Sequence, residues 1–481
     1  YPSKNTGIPR SYVGFVGRAT YDYNTRYLLD LSIGYNGSEN FAEGKRFGTF
    51  PAGSIGWIIS EEKFMEPLKP YVSYLKFRAS YGIVGNDIVS DGSRFLYLPD
   101  SYIISTAGSN NTTGIYSFGS ITNNFLPGAK ESKIGNPDVT WETSAKQNYG
   151  IDLHFFDSHL KTSLDYFIEH RKDILISRQV NPGYLAISLP IVNMGKVDNK
   201  GFEVTARWED EIRDFSYYIG TSWSYAKNKI IYKDEIPQPY EWMCETGRPV
   251  GQQFGYVNDG FFTEEDAANY ESLKGKENGI PDHGSGFSPI AGDVKYKDLN
   301  GDGKINKGKN TLDDPGDQRI IGNSEPRYSY GIKGGLQWRD FDFDVFFQGI
   351  GKKDVVLGGN QFWGFGNEWH VPFKHALDSW TEDNRNAYFP RSTYDNVTGN
   401  RETQTRYLQN AAYLRLKSIT LGYSLPKALL GKWKIDHVRF YVSGQNLLTF
   451  DHLFDIYDPE TVSLSTYPLT KSVSFGLNIT L

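Results

Sequence analysis

The residues with the most distinctive spacing are Asp298-Leu299-Asn300-Gly301-Asp302-Gly303-Lys304-Ile305-Asn306. Oxygen donors stand at positions 1, 3 and 5, glycine at 6, a backbone carbonyl (Lys304) at 7 and Asn306 at 9. That order wraps a chain around a hard cation needing six to eight oxygens, and it points to Ca²⁺. Position 12 is Lys309 where an acid is expected, so Asp313 or Asp314 is expected to close the site from a longer loop. No nucleophile or base motif accompanies it, and such an ion would order a loop rather than catalyse a reaction. The alternative is an Asp/Asn/Gly turn without an ion.

Two aromatic clusters offer a second chemistry: Tyr240-Glu241-Trp242, and Phe362-Trp363 with Phe365 and Trp369-His370. Flat rings beside polar groups can stack on sugars or hold peptide side chains, so Tyr240, Trp242, Phe362, Trp363 and Trp369 are candidate substrate contacts. The alternative is that these loops pack on themselves or on a protein partner. His154, His370, His375, His437 and His452 lack ligand spacing and read as structural. Cys244 is the single cysteine, which excludes an internal disulfide or a multi-cysteine metal site. No phosphate loop and no selected carboxylate pair argue for an enzyme.

The elements that carry these loops repeat every two residues. Tyr27, Leu29, Leu31, Ile33 and Tyr35 share one face, while Asp30, Ser32, Gly34 and Asn36 lie on the other. The same alternation returns near 12–23, 27–37, 48–59, 72–84, 146–156, 159–170, 200–209, 215–228, 327–338, 341–350, 412–424, 437–446 and 471–481. In the strand at 412–424, Arg415 and Lys417 share parity with apolar residues, which predicts a bulge or a start outside the apolar layer. Short turns such as 24–26, 157–158 and 339–340 alternate with long connections at 85–145, 171–199, 229–326 and 351–411. A soluble sandwich has no reason to place long loops on every second connection, whereas a transmembrane barrel does. The expected fold is therefore all-β: a transmembrane antiparallel β-barrel with about 13 strands and long extracellular loops.

Composition agrees. The 481 residues include 33 Tyr, 30 Phe and 10 Trp, yet mean hydropathy is only −0.51. No apolar run approaches the ~18 residues of a membrane helix. The net charge of −6 disfavours nucleic acid. Bacterial single-chain barrels have even strand numbers, so the odd count is read as the C-terminal portion of a larger barrel.

Specific strings then become recognisable. GSENFAEGKRFGTFPAGSIGWIISEEKF (37–64), LKFRASYGIVGND (75–87), NMGKVDNKGFEV (193–204), GYVNDGFF (255–262), DVKYKDLNGDGKIN (293–306), YLRLKSITLGYSLP (413–426), RFYVSGQNLLTF (439–450) and FGLNITL (475–481) occur in order. They resemble the SusC/RagA-like TonB-dependent outer-membrane transporters. That resemblance implies that residues 1–481 are the C-terminal part of a 22-stranded barrel, without its N-terminal plug and first strands, and that 229–326 is a long extracellular loop. It implies active import of oligosaccharides or peptides across the outer membrane of a Gram-negative bacterium. Energy would come through TonB, ExbB and ExbD, a SusD-like lipoprotein would work on the outer face, and two transporter–lipoprotein pairs would form a dimer. Leu481 departs from the terminal aromatic usual in barrels. Two other readings stay open: a secreted soluble β-rich carbohydrate-binding protein or glycosidase, and a passive porin.

Overall fold

The computed structural model describes residues 11–88, 94–99, 103–104, 115–117, 125–127, 129–130, 134–178, 189–235, 240–284, 286–308, 314–365, 371–393, 399–431, 435–467 and 469–480. Its framework is one 13-stranded sheet in which strand order follows chain order. The strands are β1 Tyr12–Tyr23, β2 Tyr27–Ser38, β3 Phe47–Ile58, β4 Val72–Asn86, β5 Glu142–Phe155, β6 Leu160–Ser177 and β7 Ile191–Ile212. They continue as β8 Phe215–Tyr232, β9 Tyr328–Trp338, β10 Phe341–Gly351, β11 Tyr413–Ser424, β12 His437–Asp451 and β13 Ser472–Thr480. Sequence alternation anticipated all thirteen. It underestimated β6 and β7, which have 18 and 22 residues. A tilted strand crosses a bilayer in about 9–11 residues. Beyond that layer nothing demands an apolar face, and Lys196, Asp198 and Lys200 continue β7 without one.

The register of β2 shows how the sheet is built. Tyr27, Leu29, Leu31, Ile33 and Tyr35 pair with Trp57, Ile55, Gly53, Pro51 and Thr49 of β3. On its other side, Tyr21 pairs with Leu29 and Phe15 with Tyr35. These apolar residues are the exposed ones: Leu31 and Ile33 are each 50% accessible, while Asp30 and Ser32 are half-buried. Burial is thus inverted relative to a water-soluble sheet, which hides its apolar face. Phe440 and Val442 of β12, exposed between the half-buried Arg439, Tyr441 and Ser443, repeat the inversion. Lipid is the solvent such a face requires. Tyr27 stacks on Trp57 at the short-turn end, and both donate to Glu62. Tyr35 stacks on Phe47 at the other end. The eight residue steps from Tyr27 to Tyr35 rise roughly 26 Å along the strand, close to the spacing of aromatic girdles.

The opposite face carries charge in pairs. Arg78 reaches Asp165 at 2.5 Å and Asp152 at 3.3 Å, and Arg18 pairs with Asp30. Arg439 meets Asp342 at 2.5 Å, and the Tyr218 hydroxyl donates to Asp344 at 2.6 Å. The expected irregularity of β11 is a bulge at Lys417, where the register with both β10 and β12 shifts.

Two compact units divide the chain. The first holds β1–β4 and a core of Phe41, Leu96, Val139, Trp141, Leu175 and Ile191. The second holds β9–β13 and two loop cores. One contains Leu357, Phe362, Phe389, Tyr407, Ala411, Leu453 and Tyr457, and the other Tyr256, Val294, Tyr296 and Ile305.

The inverted burial fixes the outcome of a paired substitution. In the full-length protein refolded into phospholipid, Leu31→Arg is expected to cost about 2–4 kcal/mol of unfolding free energy by denaturant titration. Ser32→Arg, on the polar face, is expected to cost under about 1 kcal/mol.

Candidate functional site

The long connections of the second unit fold on one another. Asn258–Phe261 pairs with Val294–Tyr296, and Gln252–Gly255 pairs with Arg319–Asn323. Between them lies helix α1, Glu264–Leu273, begun by a capping box in which Thr263 and Asp266 each accept from the other's backbone amide.

The Asp298–Asn306 segment is a tight turn secured by its own side chains. Asp298 accepts from the Gly301 amide at 2.6 Å and the Gly303 amide at 2.8 Å. Asn300 accepts from the Asp302 amide, and Asp302 from the Lys304 amide. Gly301 and Gly303 both have φ of +76°, where a side chain is strained. Asn306 accepts from the Gly308 amide at 2.5 Å. Asp313 lies outside the described residues, and the Asp314 carbonyl borders a neck where the Gly308 and Gly316 backbones cross. Asp317 also holds the loop: it is fully buried and accepts from the Leu299 amide at 2.8 Å and the Asn306 amide at 2.9 Å. Burial pushes its carboxyl pKa up, and the charges of Asp298 and Asp302 add to the rise. Among the described residues, no three His, Cys, Asp or Glu side chains converge as a ready metal cage.

Two ion-paired knots hold the loops together. Asp293, fully buried, accepts from Arg391 Nε at 2.7 Å and Asn400 Nδ2 at 2.8 Å, and Asn400 accepts from the Val294 amide. Arg415, 2% exposed, donates to Asp458 at 2.6 Å, Glu460 at 2.9 Å and Thr449 at 3.0 Å. Lys417 also reaches Glu460. The two misplaced cations of β11 are therefore anchors for the 452–471 connection. Alternation flagged them, but their acidic partners lie more than forty positions away.

The aromatic candidates separate. Tyr240 and Trp242 stack with centroids 4.3 Å apart and remain accessible. Cys244 is a free thiol in the same turn. Phe362 is fully buried at the centre of its loop core, so it is a packing residue rather than a surface open to a ligand. Trp363 is half-buried and meets the Tyr407 ring edge-on at 4.7 Å. Trp369 lies outside the described residues. Hydrophobic residues that close a loop core look the same in sequence as residues that greet a ligand, which is why Phe362 misleads.

A third aromatic group surrounds His283. Its ring stacks on Phe287 at 4.7 Å and lies near Phe262 and Tyr296. Burial lowers its pKa from 6.5 to about 4, with Asp282 and Asp293 opposing the shift. A histidine whose folded pKa is lowered takes its proton first in the unfolded loop, so folding weakens as pH falls. Hydrogen exchange across 258–305 is expected to accelerate as pH drops from about 6.5 to about 4, after correction for intrinsic rates. His283→Phe is expected to flatten that dependence.

Comparison with known proteins agrees with this architecture. The family described as "TonB dependent receptor-like, beta-barrel" matches residues 2–447. TonB-dependent receptor P3 of Formosa agariphila is 27% identical over 97% of this chain and 45% of its own length. TonB-dependent receptor SusC of Bacteroides thetaiotaomicron is 24% identical over 100% of this chain and 44% of its own. The chain thus spans a little under half the length of these relatives. Among solved structures, the RagAB peptide importer in its closed-closed state covers 97% of the chain with a TM-score of 0.69 at 20% identity, a likeness of fold. With that match spanning most of a chain built on a 13-stranded antiparallel sheet, the chain belongs to the TonB-dependent receptor-like β-barrels.

Proposed function

We propose that this chain is the wall and loop assembly of an outer-membrane importer for oligosaccharides or peptides. The observation that carries the reading is the inverted burial of the strands, combined with family membership. In this reading TonB, ExbB and ExbD supply energy, and a SusD-like lipoprotein caps the long loops on the extracellular side. Two transporter–lipoprotein pairs would form the working dimer. The names of SusC and of the RagAB importer, similar along nearly all of the chain, support a nutrient-import role with a lipoprotein partner. No reaction is proposed. The charged face of the strands lines a water-filled passage, and its paired charges avoid isolated ions at the wall. Tyr240 and Trp242 are the accessible aromatic pair suited to contact cargo.

Ca²⁺ is proposed as a structural ion of the 298–317 turn, held by Asp298, Asn300, Asp302, the Lys304 carbonyl and Asp317. Support comes from the donor spacing and from Asp317, whose carboxyl pKa is pushed up by burial and by the charges of Asp298 and Asp302. The carboxylates now bonded to backbone amides would share those bonds with the ion, as oxygen donors in wrapped loops do.

Two experiments address these readings. Deleting the full-length gene is expected to abolish growth on at least one glycan or peptide source, and affinity purification is expected to recover a surface lipoprotein. Normal growth on every source with no co-purifying lipoprotein would oppose the importer. For the ion, millimolar Ca²⁺ is expected to protect 298–317 from proteolysis, with EGTA reversing the protection. Asp302→Asn is expected to raise the half-protecting concentration about tenfold or more. Protection indifferent to Ca²⁺ would leave a plain Asp/Asn/Gly turn.

A further inference from the structure

A pocket in the loop assembly of the second unit lies apart from the 298–317 turn and from Tyr240 and Trp242. It is formed where the start of α1 meets the 380–386 turn and Arg406. Its walls are Phe261 and Trp380, its charges Arg385, Arg406 and Glu264, and its volume is about 350 Å³.

The donors of this pocket outnumber its acceptors. Arg406 gives Nε to the Tyr388 carbonyl at 2.9 Å and Nη2 to the Ala387 carbonyl at 2.5 Å, and its guanidinium lies 4.3 Å over the Phe261 ring. The Tyr407 hydroxyl also neighbours this guanidinium. The guanidinium is thus fixed in plane by two carbonyls and an aromatic face, at the wall of the pocket. Arg385 pairs with Glu264 at 2.9 Å, which leaves the lining with a net charge of +1. Trp380 sits so close to Gly292 that a Cβ there would fall 2.3 Å from its ring, so the indole plane is held rigidly. It is half-buried and presents the rest of its surface to the pocket.

A pre-oriented guanidinium edge recognises a carboxylate with charge-assisted hydrogen bonds. An immobilised indole face beside it favours a flat-sided ring over an extended chain. The space accommodates about one such ring. We infer that this pocket binds a carboxylated sugar ring, a uronic acid unit of an oligosaccharide, with the carboxylate on Arg406 and the ring against Trp380. The inference rests on the importer reading and narrows its cargo to acidic glycans.

The test uses the full-length transporter in detergent and reads affinity by calorimetry. The probes are tetramers of galacturonate and of mannuronate, the carboxyl-reduced form of each, a sulfated neutral tetrasaccharide and an acidic tetrapeptide. A uronate tetramer is expected to bind at least about tenfold more tightly than its reduced form. Arg406→Gln is expected to erase that difference. Asn386→Trp, at an exposed lining position, is expected to block uronate binding by filling the space while leaving Arg406 and Trp380 in place. The inference is overturned if reduced and acidic tetramers bind alike, if Asn386→Trp leaves uronate affinity unchanged, or if only the sulfated sugar or the peptide binds. Equal binding of neutral glycans with intact growth on them would leave the importer reading standing while removing this one. Binding of no probe, with no growth defect on deletion, would remove both.

Discussion

Everything in this molecule follows from the antiparallel hydrogen-bond ladder that its sheet must keep unbroken. In hydrocarbon a backbone amide left without a partner costs several kcal/mol, because no water substitutes for the missing bond. The paired strands of the first and last thirds of the sheet meet this demand residue by residue, as in the continuous register of β1 with β2 and of β9 with β10. Once the ladder satisfies the backbone, side chains are free to sort by solvent. Leu29, Leu31 and Ile33 turn to lipid, and Asp30 and Ser32 turn away from it. The hydrophobic effect that packs a soluble core here decides which face is which, and the ladder supplies the cohesion.

The loops obey a different rule. They lie beyond the apolar layer, so they need cores of their own, and they build them from aromatics around Phe362 and around Tyr256 and Tyr296. Buried charges then fix how segments distant in sequence meet. Asp293 with Arg391 and Asn400, and Arg415 with Asp458 and Glu460, are networks in which the buried charge at the centre has several partners. Removing one member of such a pair is costly because it strands the other. These knots give the connections the rigidity to present surfaces such as the Arg406 pocket.

How much of this was legible in the sequence depended on periodicity. Period-two alternation is local, and it located thirteen strands and the bulge at Lys417. It missed the upper reaches of β6 and β7, because strands in water need no apolar face. The turn at Asp298–Asn306 was legible because all its donors are close in sequence. The part Asp317 plays in it was not legible, because that residue lies eleven positions beyond Asn306 and its contacts with Leu299 and Asn306 leave no local pattern. Phe362 misled for a related reason, since burial in a loop depends on partners as far away as Tyr457. Contacts that span such distances leave no periodic trace.

Strand order that follows chain order has a consequence for how such a sheet changes over evolutionary time. Every strand is hydrogen-bonded to its neighbours in sequence, so a hairpin can be copied or lost with only the two seams beside it to repair. A two-strand change returns the chain to the same side and keeps long connections with long connections. A one-strand change would send every later loop to the wrong side of the membrane. The hairpin is therefore the natural unit of duplication, and circumference in such sheets is a quantity that moves in steps of two.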